Sequence, residues 1–179
     1  MPDLNASDVQ TYTKGRLASS DNLTTVLLKA ALAGARSVCG WHVNPVKENH
    51  VLTLDGSGSE LLLLPTLKVV ELKAVTEDGK SLDLADVMHS AGGPVRLRKV
   101  TGRCWTPKYS AVTVTMDHGY DDEAAADWRL AVLDAVDRFS ESIGATGLKR
   151  YRVDDVDREW FNNPDAFNRH LIAPYRLMP

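Results

Sequence analysis

The spacing of apolar positions changes twice along this chain. Near the N-terminus, Leu23, Val26, Leu27, Ala30, Ala33 or Gly34, and Val38 recur at intervals of three and four residues, the period of a helix with one apolar face. Ser19, Ser20 or Asp21 can cap its first turn, because a side-chain oxygen accepts the free N–H groups there. Gly40 is placed to stop it in a left-handed conformation. This predicts a helix over 20–39, with a shorter one before it from about Asn5 to Thr13. From His50 the period falls to two. Leu52 and Leu54 flank Thr53, and Val70, Leu72 and Ala74 alternate with Glu71 and Lys73. Leu82 and Leu84 flank Asp83, Val95 and Leu97 alternate with Arg96 and Arg98, and Val112, Val114 and Met116 alternate with Thr113 and Thr115. Leu61 to Leu64 is a short continuous apolar run. Asp55-Gly56-Ser57-Gly58, Asp78-Gly79 and Gly92-Gly93-Pro94 separate these segments as turns. Residues of about 50–118 therefore read as a small antiparallel sheet of short strands.

Helical spacing returns after Gly119-Tyr120. Ala124 or Ala125, Trp128, Ala131, Val132, Ala135, Phe139 and Ile143 share a face, predicting a helix over 122–142. Asp121 or Asp122 caps it, and Asp121, Asp122 and Glu123 favour the positive end of its dipole. Both long helices carry small residues and are predicted to pack together. Beyond Gly147 the pattern shortens. Lys149 to Val153 reads as extended, Val156, Trp160 and Phe161 as a short helix begun by Asp154 or Asp155, and Asn163-Pro164-Asp165 as the start of another. Phe167, Leu171 and Ile172 would form the apolar side of that last helix, and Pro174 would end it. The fold class is α+β: a helical core of two long packed helices, an inserted small antiparallel β-sheet, and an extended C-terminal tail with short helices. The corresponding division is one domain over 1–148 and a tail over 149–179.

Composition narrows the classes of function. The chain has 179 residues, 44% of them apolar and 25% charged, the balance of a globular domain that can bury a core without metal or disulfide staples. Twenty-one Lys and Arg against 24 Asp and Glu give a net charge of −3, which argues against general phosphate neutralisation of nucleic acid. Cys39 and Cys104 form no disulfide framework and no zinc pair, and each lies beside apolar or aromatic residues, so both are expected to be buried free thiols. Met1-Pro2-Asp3-Leu4 has no basic region and no long apolar run, so no secretory signal is expected. No apolar stretch approaches the ~20 residues of a membrane span.

The motifs of catalysis are missing. There is no phosphate-binding glycine loop, and Asp55-Gly56-Ser57-Gly58 precedes no helix, so a hairpin turn fits it better. His42, His50, His89, His118 and His170 form no H-x-x-x-H pair. The run Asp117-His118-Gly119-Tyr120-Asp121-Asp122-Glu123 has two chemical readings, a metal site or an acid/base pair. A strand end followed by a helix start that favours carboxylates explains it better. No catalytic residue, metal ligand or cofactor is expected. What remains is surface. Arg96 and Arg98 share one face of a strand, Lys149, Arg150 and Arg152 open the tail, and Trp160, Phe161, Phe167 and Tyr175 sit where little local core can bury them. Aromatic side chains in that position either fold back or dock on a neighbour. Arg96, Arg98, Arg150, Arg152, Trp160, Phe161, Phe167 and Tyr175 are therefore the candidate partner-binding residues.

The order of segments carries a further signal. Cys39-Gly40-Trp41-His42-Val43-Asn44-Pro45 closes the first helix, followed by Leu52-Thr53-Leu54-Asp55-Gly56-Ser57-Gly58, Leu61-Leu62-Leu63-Leu64-Pro65-Thr66 and Val75-Thr76-Glu77-Asp78-Gly79, and His118-Gly119-Tyr120 precedes an Ala-rich helix. Over about residues 20–145 this series resembles the head-to-tail adaptor (connector) proteins of siphophages infecting actinobacteria. The resemblance implies a structural, non-enzymatic subunit of the virion neck, made in the host cytoplasm. It implies a homo-oligomeric ring, typically of twelve subunits, beneath the portal protein and above a stopper protein. Genomic DNA would pass through its channel without sequence-specific contacts, and the C-terminal segment would engage the portal. A stopper or tail-completion protein is the alternative within the same assembly, and a small binding module the alternative outside it.

Overall fold

A computed structural model of the chain describes residues 3–144, 150–153, 156–159 and 168–177. It mixes helices with small antiparallel sheets and divides into two compact units. One comprises Cys39–Ala125 with Tyr175–Pro179, the other Pro2–Val38 with Ala126–Pro174.

In the second unit, α1 (Ala6–Tyr12) begins at a capping box. The Asn5 side chain accepts from the N–H groups of Ser7 and Asp8, and the Asp8 carboxylate accepts from the Asn5 N–H. Helix α2 spans Asn22–Cys39, with Asp21 accepting from the Leu23 N–H at 2.9 Å. Apart from Leu27, its buried face is not the expected one. Thr24, Leu27, Leu28, Ala31, Leu32, Ala35 and Cys39 are buried, whereas Leu23, Val26, Ala30, Ala33 and Val38 are exposed. The helix has only Lys29 and Arg36 as charged residues, so two apolar stripes were available and spacing could not choose between them. Helix α3 (Ala126–Gly144) starts later than predicted. Asp121 does cap, its carboxylate accepting from the Ala124 N–H at 2.7 Å, but the turn it caps lies before the start of α3. Trp128, Ala131, Val132 and Ala135 are buried as expected, joined by Val136. The guanidinium of Arg16 pairs with Asp137 and donates to the Ser140 hydroxyl on α3.

The described part of the tail departs from its reading at the second segment. Val156–Glu159 is a strand, not a helix: β8 (Arg150–Val153) and β9 (Val156–Glu159) pair antiparallel from Arg150 with Glu159 to Val153 with Val156. Backbone pairing over four consecutive positions satisfies the donors and acceptors that a lone helical turn would leave free. Helix α4 (Arg169–Ile172) buries Ile172.

The first unit holds two sheets rather than one. Strands β1 (Lys47–Leu54), β7 (Val112–His118), β3 (Val69–Glu77) and β4 (Lys80–Leu82) form the first, in that order. Strands β2 (Leu61–Leu63), β6 (Arg96–Lys99) and β5 (Val87–His89) form the second. Every pairing is antiparallel. Their inner faces share one core of Leu62, Leu64, Val75, Val87, Val95, Leu97, Trp105, Val112, Val114 and Met116. Alternation explains the choice of faces, because inward residues two apart place their side chains on the same side of a strand. The separation into two sheets was not legible, because β7 pairs with β1 and β3, both distant in sequence.

A largely buried ion pair crosses this core. Lys99 on β6 lies 2.6 Å from Glu77 on β3 and 4.7 Å above the Trp105 ring, while the other Glu77 oxygen accepts from the Thr106 N–H. The Trp105 side chain takes the inward position, which leaves Cys104 exposed, against the expectation of burial; Cys39 is buried. The loop over residues 104–108 also requires Gly56. A Cβ there would stand 1.8 Å from the Thr106 carbonyl oxygen. Gly56→Ala is therefore expected to cost about 2 kcal/mol, read as a shifted urea midpoint.

Candidate functional site

The backbone of the first unit is entered at Cys39 and left at Ala125, and its two ends are tied at one place. The connection from Trp41 to Val46 contains a cis Asn44–Pro45 bond and buries Trp41, Val43 and Asn44. Tyr120 donates its N–H to the Val43 carbonyl at 2.8 Å, and the Asn44 side chain donates to the Tyr120 carbonyl and to Asp122, each at 3.0 Å. Gly119 (φ +114°) sits between them, where a Cβ would meet the Pro45 and Val43 carbonyls at 2.9 and 3.2 Å. Only glycine suits both that conformation and that space.

The end of the chain enters the same place. The Trp41 indole N–H donates to the Tyr175 carbonyl at 2.7 Å, the Tyr175 hydroxyl to the Ala124 carbonyl at 2.9 Å, and the Leu177 N–H to the Cys39 carbonyl at 2.8 Å. The rings of Trp41 and Tyr120, and of Tyr120 and Tyr175, meet edge to face at 5.8 and 5.4 Å.

Next to these rings lie three histidines. The β1–β7 register pairs His50 with Met116 and so places His118 diagonally beside it, the two rings stacked at 4.9 Å and the His50 Nδ1 and His118 Nε2 atoms 2.8 Å apart. His118 Nδ1 is 3.3 Å from the Thr66 hydroxyl, which lies 3.2 Å from the Lys68 carbonyl. With the Thr66 hydroxyl donating to that carbonyl, its oxygen accepts from His118 Nδ1–H. His118 Nε2 then accepts from His50 Nδ1–H. His42 faces the His118 ring at 5.8 Å and donates from Nε2 to the Pro45 carbonyl. Burial, then His50, His42 and Lys47, push the His118 imidazole down to about 4, with Asp117 acting the other way. Burial and Lys47 lower His50 as well. The Asp117 carboxylate is held below its usual range by the Lys73 ammonium, 2.8 Å away, and by the Asn49 N–H. The cluster is a hydrogen-bonded filling of a strand end. Among the described residues, no three His, Cys, Asp or Glu side chains are arranged to hold a metal ion. Sequence spacing could not reveal this cluster, since His42, His50 and His118 are apart in the chain and meet only in the fold.

The predicted partner-binding residues fall in different places. Arg96 and Arg98 lie exposed on β6, on the outer face of the three-stranded sheet, as alternation required. Arg98 pairs with Glu60 at 2.8 Å. Tyr175 is buried within its own chain, in the contacts above. Arg150 and Arg152 belong to β8. Trp160, Phe161 and Phe167 lie outside the described residues.

The whole chain has the fold of known particle components. It resembles a chain of the neck of an empty GTA (gene transfer agent) particle computed with C6 symmetry, at TM-score 0.65 and 14% identity, covering 98% of this chain and 90% of that one. It likewise resembles a chain of the neck of a native GTA particle computed with C12 symmetry, at 0.63 and 14%, covering 100% and 94%. A third likeness, at 0.65 and 14%, is to a chain of the virion of a native gene transfer agent particle. At that identity the likeness is one of fold. No family model and no curated protein matches the sequence.

Proposed function

We propose that this chain is a structural, non-enzymatic subunit of the head–tail neck of a phage-like particle, the adaptor ring between portal and stopper. The observation that carries the reading is fold likeness along the full length of the chain to neck chains of gene transfer agent particles. The ordered sequence resemblance to siphophage adaptors supports the same role independently. In this reading about twelve copies form a ring, consistent with the C12 symmetry of one such neck, and DNA passes through the channel. The net charge of −3 suits a channel wall along which DNA slides without sticking.

Portal docking is assigned to the region 149–179, with Arg150, Arg152, Trp160, Phe161 and Phe167 as contacts. Tyr175 serves differently, as the anchor that returns the end of the chain to its own fold. Deleting the whole region would remove that anchor, so the clean test keeps residues 168–179 and replaces Trp160, Phe161 and Phe167 by Ala. The triple variant is expected to keep its melting temperature while binding to purified portal rings weakens by about a hundredfold or more, measured by co-sedimentation. Undiminished binding would remove the docking role. Electron microscopy of particles labelled on this chain tests the neck assignment itself.

A further inference from the structure

The outer face of the β2–β6–β5 sheet is built for contact. Strand pairing sets Leu61, Arg98 and Met88 in one row across the three strands, and Leu63 beside Arg96 in the next. Leu61, Leu63 and Met88 are 46%, 53% and 51% exposed, a cluster of large apolar side chains rather than scattered ones. Two guanidiniums stand among them. Arg96 makes no ion pair among the described residues, and the pair of Arg98 with Glu60 is half-exposed on both sides, which leaves it easily exchanged. This surface suits a partner that offers carboxylates around an apolar tip.

The same unit presents such a tip elsewhere. The 3-10 turn Leu84–Asp86 is capped by Asp83, whose carboxylate accepts from the Ala85 N–H at 3.0 Å. Asp83, Leu84, Ala85 and Asp86 are all exposed. Leu84, 36% exposed, thus lies in a turn that carries two carboxylates, the inverse in charge of the sheet face, where apolar side chains lie among two guanidiniums.

We infer that the face formed by Leu61, Leu63, Met88, Arg96 and Arg98 of one copy receives the acidic turn Asp83–Asp86 of a second copy. Made head to tail, face of one copy to turn of the next, the contact is heterologous, and repeating it closes a ring when the rotation permits. This rests on the neck-ring reading and identifies the subunit contact within it.

The test is sedimentation velocity of the full chain over rising concentration, with circular dichroism to verify folding. Face variant Arg96→Glu/Arg98→Glu and turn variant Ala85→Arg/Asp86→Arg, which keeps the Asp83 cap, are each expected to weaken self-association by about tenfold or more. Mixed together they should associate again, because each then meets its opposite charge on both surfaces. Unchanged association of either variant, no recovery on mixing, or a wild-type chain that stays monomeric throughout would each overturn the inference. Rings on particles with this chain in the neck would then still uphold the neck reading. Wild-type association lost and regained as described, but into forms other than closed rings, would uphold the contact and count against the ring.

Discussion

Trp41→Ala is expected to destabilise the chain by about 4 kcal/mol, the cost of removing a buried aromatic side chain from a site that cannot collapse. Trp41 is 6% exposed and packs against the rings of Tyr120 and His118. Its loss also leaves the Tyr175 carbonyl without the indole donor. Tyr175→Phe keeps the ring and removes only the hydroxyl donor to Ala124, so about 1 kcal/mol is expected there. Urea denaturation gives both values. Equal losses would mean that the Tyr175 hydroxyl bond holds this end of the chain as strongly as the whole Trp41 side chain does. Hydrogen exchange at the Leu177 N–H, bonded to Cys39, should accelerate far more in Trp41→Ala than in Tyr175→Phe.

Stability should fall by about 3 kcal/mol as the pH drops from about 7 to about 4. His118 is buried, and its imidazole is pushed from 6.5 down to about 4 in the fold. A depressed folded value means that the unfolded chain takes up a proton the fold refuses. The contribution is therefore complete above 6.5, declines as pH falls through the window, and levels off below about 4. The groups that face the ring are His50, His42, Lys47 and Asp117. Lowering of His50 and of Asp117 acts in the same direction within its own range. His118→Gln is expected to flatten the slope between pH 7 and about 4, measured as urea midpoints at each pH. A slope unchanged in that variant would assign the pH dependence to other groups.

The parts of the fold that repeat locally were legible, and the parts that depend on pairing were not. Alternation named Leu52, Leu54, Val95, Leu97, Val112, Val114 and Met116 as one-sided strand positions, and helical spacing named Trp128, Ala131, Val132 and Ala135 on α3. Each pattern reflects a backbone period that the side chains must follow. The α2 face was misread because a helix with two charged residues offers more than one apolar stripe. The helix read into Val156–Phe161 failed at Val156–Glu159, where a neighbouring strand offered backbone partners that no single segment reveals.

The sequence by itself determined the α+β class, the turns at Gly79 and Gly93, and the placement of Arg96 and Arg98 on one strand face, whereas Asp55–Gly58 joins strands of two different sheets rather than closing a hairpin. The features so determined depend on local period and on turn chemistry, both properties of the chain read in line. Tertiary structure decided the division into two sheets, the exposure of Cys104, the return of Tyr175 to its own fold and the meeting of His42, His50 and His118. It also decided which apolar residues were left over: Leu23 and Val26 on α2, and Leu61, Leu63 and Met88 on the small sheet. Burial is a competition among all segments for a limited interior, so its losers become visible only once the interior is filled.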